Sequence, residues 1–182
     1  IFKPGDESIS AFRDAQLSAA YQINAADRIV IVVVGAVGTD LAGEIAHAHP
    51  AKKVTLVSSD ASLFAGFPAK LGRGLARKLQ AMGVDLAFGS RVSDLAHTKQ
   101  PYAGGVTLED GRKIEADLVI PAVGSRPQTA LFDGLPDSVK TPDGRVKVDA
   151  YLRPSSLPNV FAAGDAADAG DAMPIVATSR QL

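Results

Sequence analysis

Apolar residues run unbroken from position 29 to 34 and meet a glycine turn. The chain then passes directly into helical spacing at Leu41, Ala42 and Ile45. A continuous apolar run bounded by a turn predicts a strand covered on both faces, and the change of period predicts a helix after it. Upstream, Ile9, Phe12, Ala15, Ala19 and Ile23 recur at near-helical spacing, predicting a helix over 8–24 after a loop at 1–7, capped by Asp6 or Ser8. Downstream, the first helix should run over 38–49 until Pro50 stops it, and 53–57 reads as a second strand. A loop then leads to Pro68, suited to the first position of a helix that Gly83 ends. Leu71, Leu75, Leu79 and Met82 form its buried stripe, and Gly72 and Gly74 point to close packing. Residues 84–88 alternate as a third strand.

The order βαβαβ predicts a parallel sheet, because parallel neighbours need crossover connections. Then the pattern changes. Residues 91–95, 105–109 and 112–116 alternate polar and apolar with no helix between them, and Asp110-Gly111 signals a two-residue hairpin. This reads as an antiparallel meander. An apolar strand over 117–123 follows, ended by Gly124, and Pro121 inside it should make it fray or pair on one side. From 125 to 147 the composition turns to Pro, Gly, Asp and Ser, marking a boundary. Beyond it come a hairpin at Asp143-Gly144, a small apolar strand over 159–165 ending in Gly-Asp, and a helix after Pro174.

A glycine turn between strand and helix aims free N–H groups and the positive end of the helix dipole at one point, which suits a phosphate. Aligned on Gly35 and Gly38, the dinucleotide pattern G-x-G-x-x-G keeps two of its three glycines, with Val33 in the first place. An ordinary strand-to-helix turn is the alternative. If the pattern governs, Val33→Gly should tighten nicotinamide coenzyme binding.

Composition narrows the choice. The 182 residues are 46% hydrophobic and 21% charged, with net charge −1 and no basic cluster, which argues against nucleic acid as partner. Without cysteine there is no disulfide, thiolate metal site or C-x-x-C redox pair. Redox chemistry must therefore come from a bound cofactor. His47, His49 and His97 lack companions at metal-ligand spacing, so no metal is expected. No apolar run approaches the roughly 20 residues of a membrane span, and the first residues do not resemble a signal peptide. The expected location is cytoplasmic, with membrane or mitochondrial association of a longer parent left open. A first residue of Ile suggests a fragment or trimmed chain.

Five segments then fall into one order: RIVIVVVGAVGTDLAGEIA, VTLVSSDASLF, LQAMGVDL, GRKIEADLVIPAVGSRP and VKVDAYLRPSSLPNVFAAGDAAD. Together they resemble the FAD-dependent pyridine nucleotide-disulfide oxidoreductase superfamily, most closely its apoptosis-inducing-factor-like and type II NADH dehydrogenase-like branch. The resemblance spans about residues 25–168. It implies an α/β, FAD/NAD(P)-binding fold: a Rossmann-like parallel sheet with an antiparallel β-meander, followed by a partial FAD domain. Residues 1–24 would be a linker and helix from the FAD domain, 25–124 the NAD(P)H-binding domain and 125–182 the partial FAD domain. The family's upstream G-x-G-x-x-G does not occur before Ile29, and its C-terminal interface domain has no counterpart here. The chain is thus expected to be the middle of such an enzyme, binding FAD weakly or not at all by itself.

The implied reaction is hydride transfer from NAD(P)H to flavin, then electron transfer to a small-molecule acceptor such as a quinone. Gly35, Ala36, Val37, Gly38 and Thr39 would meet the pyrophosphate, and Gly124 the nicotinamide half. Gly164 and Asp165 would meet the FAD ribityl chain; a plain strand-ending turn is the alternative. Asp40 stands where the family commonly has a glutamate near the nicotinamide, as the candidate catalytic group, although the helix dipole alone would favour a carboxylate there. Ser58 stands where an acid would take the ribose hydroxyls, so NADH and NADPH both stay open. Phe64 and Phe67 are candidates for the adenine side or for loop packing. A non-catalytic NAD(P)-sensing or interaction module and a truncated inactive fragment are the rival readings, since Val33, Asp40 and Ser58 depart from the family pattern.

Overall fold

A computed structural model describes residues 8–33, 35–124, 127–136, 139–154 and 157–170. The chain divides into two compact units, Ile1–Gly124 and Ser125–Leu182.

The first unit opens with helix α1 (Ile9–Ala25), whose N-cap Ser8 accepts the Ala11 N–H through its hydroxyl at 3.2 Å. Asp6 lies outside the described residues. Only the second half of the apolar stripe is used: Ala19 is buried and Ile23 packs on the core, while Ile9 and Phe12 are exposed. Strand β1 (Arg28–Val33), helix α2 (Ala36–Ala48), strand β2 (Lys53–Ser58), helix α3 (Ala69–Ala81) and strand β3 (Val84–Phe88) follow. With strand β6 (Leu118–Ala122) they build a parallel sheet in the order β3-β2-β1-β6. The unbroken apolar run now has its reason. Ile29, Ile31 and Val33 face the cluster of Ala42, Ile45 and Leu79, while Val30 and Val32 face Val92, Val106 and Leu108. Both faces of β1 are covered, so neither set of alternate residues can be polar.

Differences from the expected boundaries have local causes. Helix α2 begins at Ala36, two residues before the expected start, because Gly35 takes the capping conformation. Pro68 caps α3 instead of opening it. On that helix Leu71 is exposed, and the stripe is carried by Leu75, Leu79 and Met82. A Cβ on Gly72 would lie 2.2 Å from the Leu63 carbonyl oxygen, so close approach requires glycine there; Gly74 faces open space.

Pro121 does not fray β6, which stays in register with β1 through Ala122 opposite Val33. The Val119 N–H points away from β1, donating to the Tyr102 carbonyl at 2.8 Å. Two residues on, the Pro121 nitrogen faces the same outer side, so the ladder to β1 loses no donor. The meander is thinner than its polar alternation suggested: β4 (Val106–Thr107) and β5 (Lys113–Ile114) pair antiparallel, and residues 91–95 join by a bridge from Val92 to Leu108 and by the Ser93 and Asp94 side chains on Thr107. The Asp110-Gly111 turn is a three-residue loop. Gly111, at φ 84°, donates its N–H to the Leu108 carbonyl, and Leu108 in turn donates to Arg112.

The second unit pairs β7 (Val146–Lys147) parallel with β8 (Ala167–Asp168) over a core of Phe132, Val139, Val146, Ala162 and Ala167. The turn at Asp143-Gly144 is present, closed by the Thr141 N–H on the Arg145 carbonyl at 2.8 Å. Residues 159–165 form no strand, contrary to expectation. Phe161 stays 65% exposed while Ala162 is buried, so the apolar run buries too little to hold a pairing. The helix expected after Pro174 lies outside the described residues. No helix among the described residues is long and apolar enough to cross a membrane.

Candidate functional site

In a parallel sheet every strand ends at the same edge, and ligands sit outside the carboxyl ends where the strand order reverses. Here β1 leads through α2 to β2 on one side, while its other neighbour is β6. Gly35 to Asp40 follow β1, Ser58 closes β2 and Gly124 stands two residues past β6. The structure thus gathers these predicted site residues on one edge of the first unit. Gly164 and Asp165 belong to the second unit, in a single 3-10 turn with the Asp165 side chain exposed.

The start of α2 is the centre of the edge. Gly35 is its N-cap at φ 111° and ψ −158°, a conformation open to glycine, and no side chain caps the helix. Helix geometry leaves the N–H groups of Gly35, Ala36, Val37 and Gly38 outside the intrahelical ladder. Gly35, Ala36 and Val37 are exposed. Gly38 is buried, and a Cβ there would lie 2.3 Å from Val33 Cγ2 and 2.7 Å from Val33 Cβ. This is the close helix–strand approach that the last glycine of the dinucleotide pattern serves. Val33, in the place of the first glycine, is still strand: it is buried and pairs with Ala122. Thr39 is buried and its hydroxyl donates to the Gly35 carbonyl at 3.1 Å, bracing the cap.

Ser58 is also buried, and its Oγ accepts the Asp60 N–H at 3.2 Å. Beside it, Ser59, Ser90 and Arg91 line a cavity of about 290 Å³ together with Val32, Val57 and Val123. The Gly89 N–H donates to the Asp60 carbonyl at 3.0 Å and so ties the loop after β2 to the loop after β3. Asp110, next to Ser90, is held at a pKa of about 2, first by the Arg112 guanidinium bonded to it at 2.9 Å and then by the Arg112 N–H.

Arg91 was legible only as the start of a meander strand. Its signal was a cation after Gly89-Ser90, just past the end of a predicted parallel strand. Asp40 is exposed and lines a groove between α2 and α3 with Glu44, His47, Phe64 and Lys78. Phe64 therefore packs on the helix side and not beside Ser59, with Phe67 edge-on to it at 5.7 Å. Among the described residues no group of three His, Asp or Glu is placed to hold a metal ion.

Residues 4–181 match the family model described as pyridine nucleotide-disulphide oxidoreductase. Fe-regulated protein 8 of Mycosarcoma maydis is 38% identical over 160 residues, which cover 86% of this chain and 37% of that protein. A FAD-dependent oxidoreductase of Flammulina velutipes is 35% identical over 147 residues, covering 80% of this chain and 44% of its own length. The chain thus spans less than half the length of these relatives. Among solved structures, the water-forming NADH oxidase of Lactobacillus brevis, bound to NADH, superposes with a TM-score of 0.68 at 24% identity. The superposition covers 96% of this chain and 38% of the oxidase, a likeness of fold.

Proposed function

Since the chain belongs to the pyridine nucleotide-disulphide oxidoreductase family, we propose that it is the NAD(P)H-binding part, with a portion of the flavin site, of a FAD-dependent NAD(P)H oxidoreductase. The observation that carries this is the uncapped start of α2, seated on β1 so closely that Gly38 has no room for a Cβ. A diphosphate lying there would meet the N–H groups of Gly35, Ala36, Val37 and Gly38 and the positive end of the helix dipole. Thr39 keeps the Gly35 carbonyl turned into the helix. Gly124, at φ 65° with open space where a Cβ would stand, leaves room for the nicotinamide half. Ser58 holds the turn at the ribose end, and Asp40 is the exposed carboxylate on the first turns of α2 that orients the nicotinamide end.

Bound flavin would supply the hydride acceptor and pass electrons on to a small molecule such as a quinone. On this chain its candidate contacts are Gly164, at φ 63°, and the exposed Asp165 carboxylate, which fit one polar stretch of the cofactor. The single strand–glycine–helix turn among the described residues is left for the nicotinamide coenzyme. A sequence without cysteine needs no oxidising compartment, and the cytoplasm is the location that goes with this reading. Calorimetric titration of the chain with NADH and NADPH tests it. Saturable binding of at least one coenzyme is expected. No binding of either at millimolar concentration would favour a module that works through other partners, or an inactive fragment.

A further inference from the structure

We propose that Arg91, flanked by Ser59 and Ser90, anchors the 2′-phosphate of the coenzyme and that this chain prefers NADPH. The inference rests on the dinucleotide reading of the same edge and adds the choice of coenzyme to it.

Four observations carry it. First, an acid at the end of the second strand takes the ribose hydroxyls in NAD-binding folds and repels a 2′-phosphate, whereas a nearby arginine accommodates one. Here β2 ends in Ser58, neutral and turned inward to accept the Asp60 N–H. Second, among the described residues Arg91 is exposed, is the one cation lining the cavity, and has a guanidinium with no hydrogen bond or ion pair. An arginine fork matches phosphate geometry with two parallel N–H donors, and no described residue engages this one. Third, the bond from Gly89 to the Asp60 carbonyl fixes the loop bearing Arg91 beside the loop bearing Ser59. That sets Ser59, Ser90 and Arg91 around one cavity past the ends of β2 and β3. Fourth, Asp110, beside Ser90, is paired with Arg112, so it does not cancel the charge of Arg91. Two carboxylates oppose it. Exposed Glu109 lies across from Arg91 and donates its N–H to the Arg91 carbonyl at 2.8 Å; Asp60 is exposed two residues past β2, and if it reached the ribose it would favour NADH instead.

The test is a set of titrations on the full chain with NADPH, NADH and 2′,5′-ADP, for the wild type, Arg91→Gln, Arg91→Lys and Asp60→Asn. Wild-type chain should bind NADPH more tightly than NADH and should bind 2′,5′-ADP. Arg91→Gln should weaken NADPH roughly 10- to 100-fold, the loss expected of charge-assisted bonds to phosphate, and leave NADH unchanged. Arg91→Lys should recover part of the loss. Because Arg91 is exposed, an unchanged melting temperature should accompany all of these. Equal affinity for the two coenzymes, an equal loss of both in Arg91→Gln, or an NADH preference abolished by Asp60→Asn would overturn the assignment while leaving the dinucleotide site standing. Failure of every ligand to bind would overturn both.

Discussion

The two ends of the parallel sheet are built on opposite plans. At the amino end the polar groups are satisfied. Asp117 accepts the N–H groups of Asp27 and Arg28 at 3.2 and 2.8 Å and the Arg28 guanidinium at 2.8 Å, clasping the starts of β1 and β6. Lys52 donates to the carbonyls of Asn24 and Ala26 and closes the end of α1. At the carboxyl end, the donors at the start of α2 have no side-chain cap and the Arg91 guanidinium has no partner among the described residues. Groups left unsatisfied at one edge of a fold that satisfies them at the other mark where a ligand belongs. Substitutions at the two ends should therefore separate stability from binding.

Val33→Gly should have the largest effect and should blur that separation. The spacing alone led to an expectation of tighter coenzyme binding, but Val33 is a buried strand residue packed on Gly38. Removing its side chain should cost about 2–4 kcal/mol, for the lost packing and the extra chain freedom of glycine. Urea unfolding measures this, and tighter NADPH binding at unchanged stability would refute it. Gly38→Ala comes next, at about 1–3 kcal/mol of overpacking against Val33, with coenzyme affinity falling as the helix start is pushed off the strand. Adding Val33→Ala removes the atom that would lie 2.3 Å away but leaves the one at 2.7 Å, so the double variant should regain part of the loss. Simple additivity would show that the two residues do not meet.

How much of this was legible depends on whether the signal was local. Strand β1 and the helix after it could be read because burial on both faces leaves an apolar run no polar residue can interrupt. The glycine pair was read because each place permits few alternatives: Gly35 takes φ 111° and Gly38 has no room for a Cβ. Leu71 and the 159–165 run were misread because apolar spacing says which residues can be buried, not whether a neighbour is there to bury them. Pro121 was read correctly as a missing donor, but the direction of that donor depends on Tyr102, seventeen residues before Val119 in sequence and opposite it in space. Arg91 was missed because its meaning comes from Ser59, which only the fold brings near.

At the amino end the effects should be smaller and confined to stability. Lys52→Met should cost about 1 kcal/mol, the typical worth of an intramolecular hydrogen bond, because the carbonyls of Asn24 and Ala26 lose the ammonium that caps them. Amide exchange in the last turn of α1 should speed up while coenzyme titrations stay unchanged. A change in NADPH affinity would mean that the two ends are coupled.

Asp117 should show the mildest effect, through pH. The Arg28 guanidinium and the N–H groups of Arg28 and Asp27 hold its carboxyl at about 2, against about 3.9 for an unfolded aspartate. A depressed acid stabilises the fold fully above its unfolded value and loses that contribution as pH falls towards its folded one. The urea midpoint should therefore be flat from neutral pH down to about 5 and decline between about 4 and 2. Asp110 titrates in the same window, so the decline itself is shared. The difference between wild type and Asp117→Asn isolates one carboxylate: it should be largest at neutral pH and shrink as Asp117 is protonated. A difference that stayed constant down to pH about 2 would mean that the clasp works through geometry alone and not through the charge on Asp117.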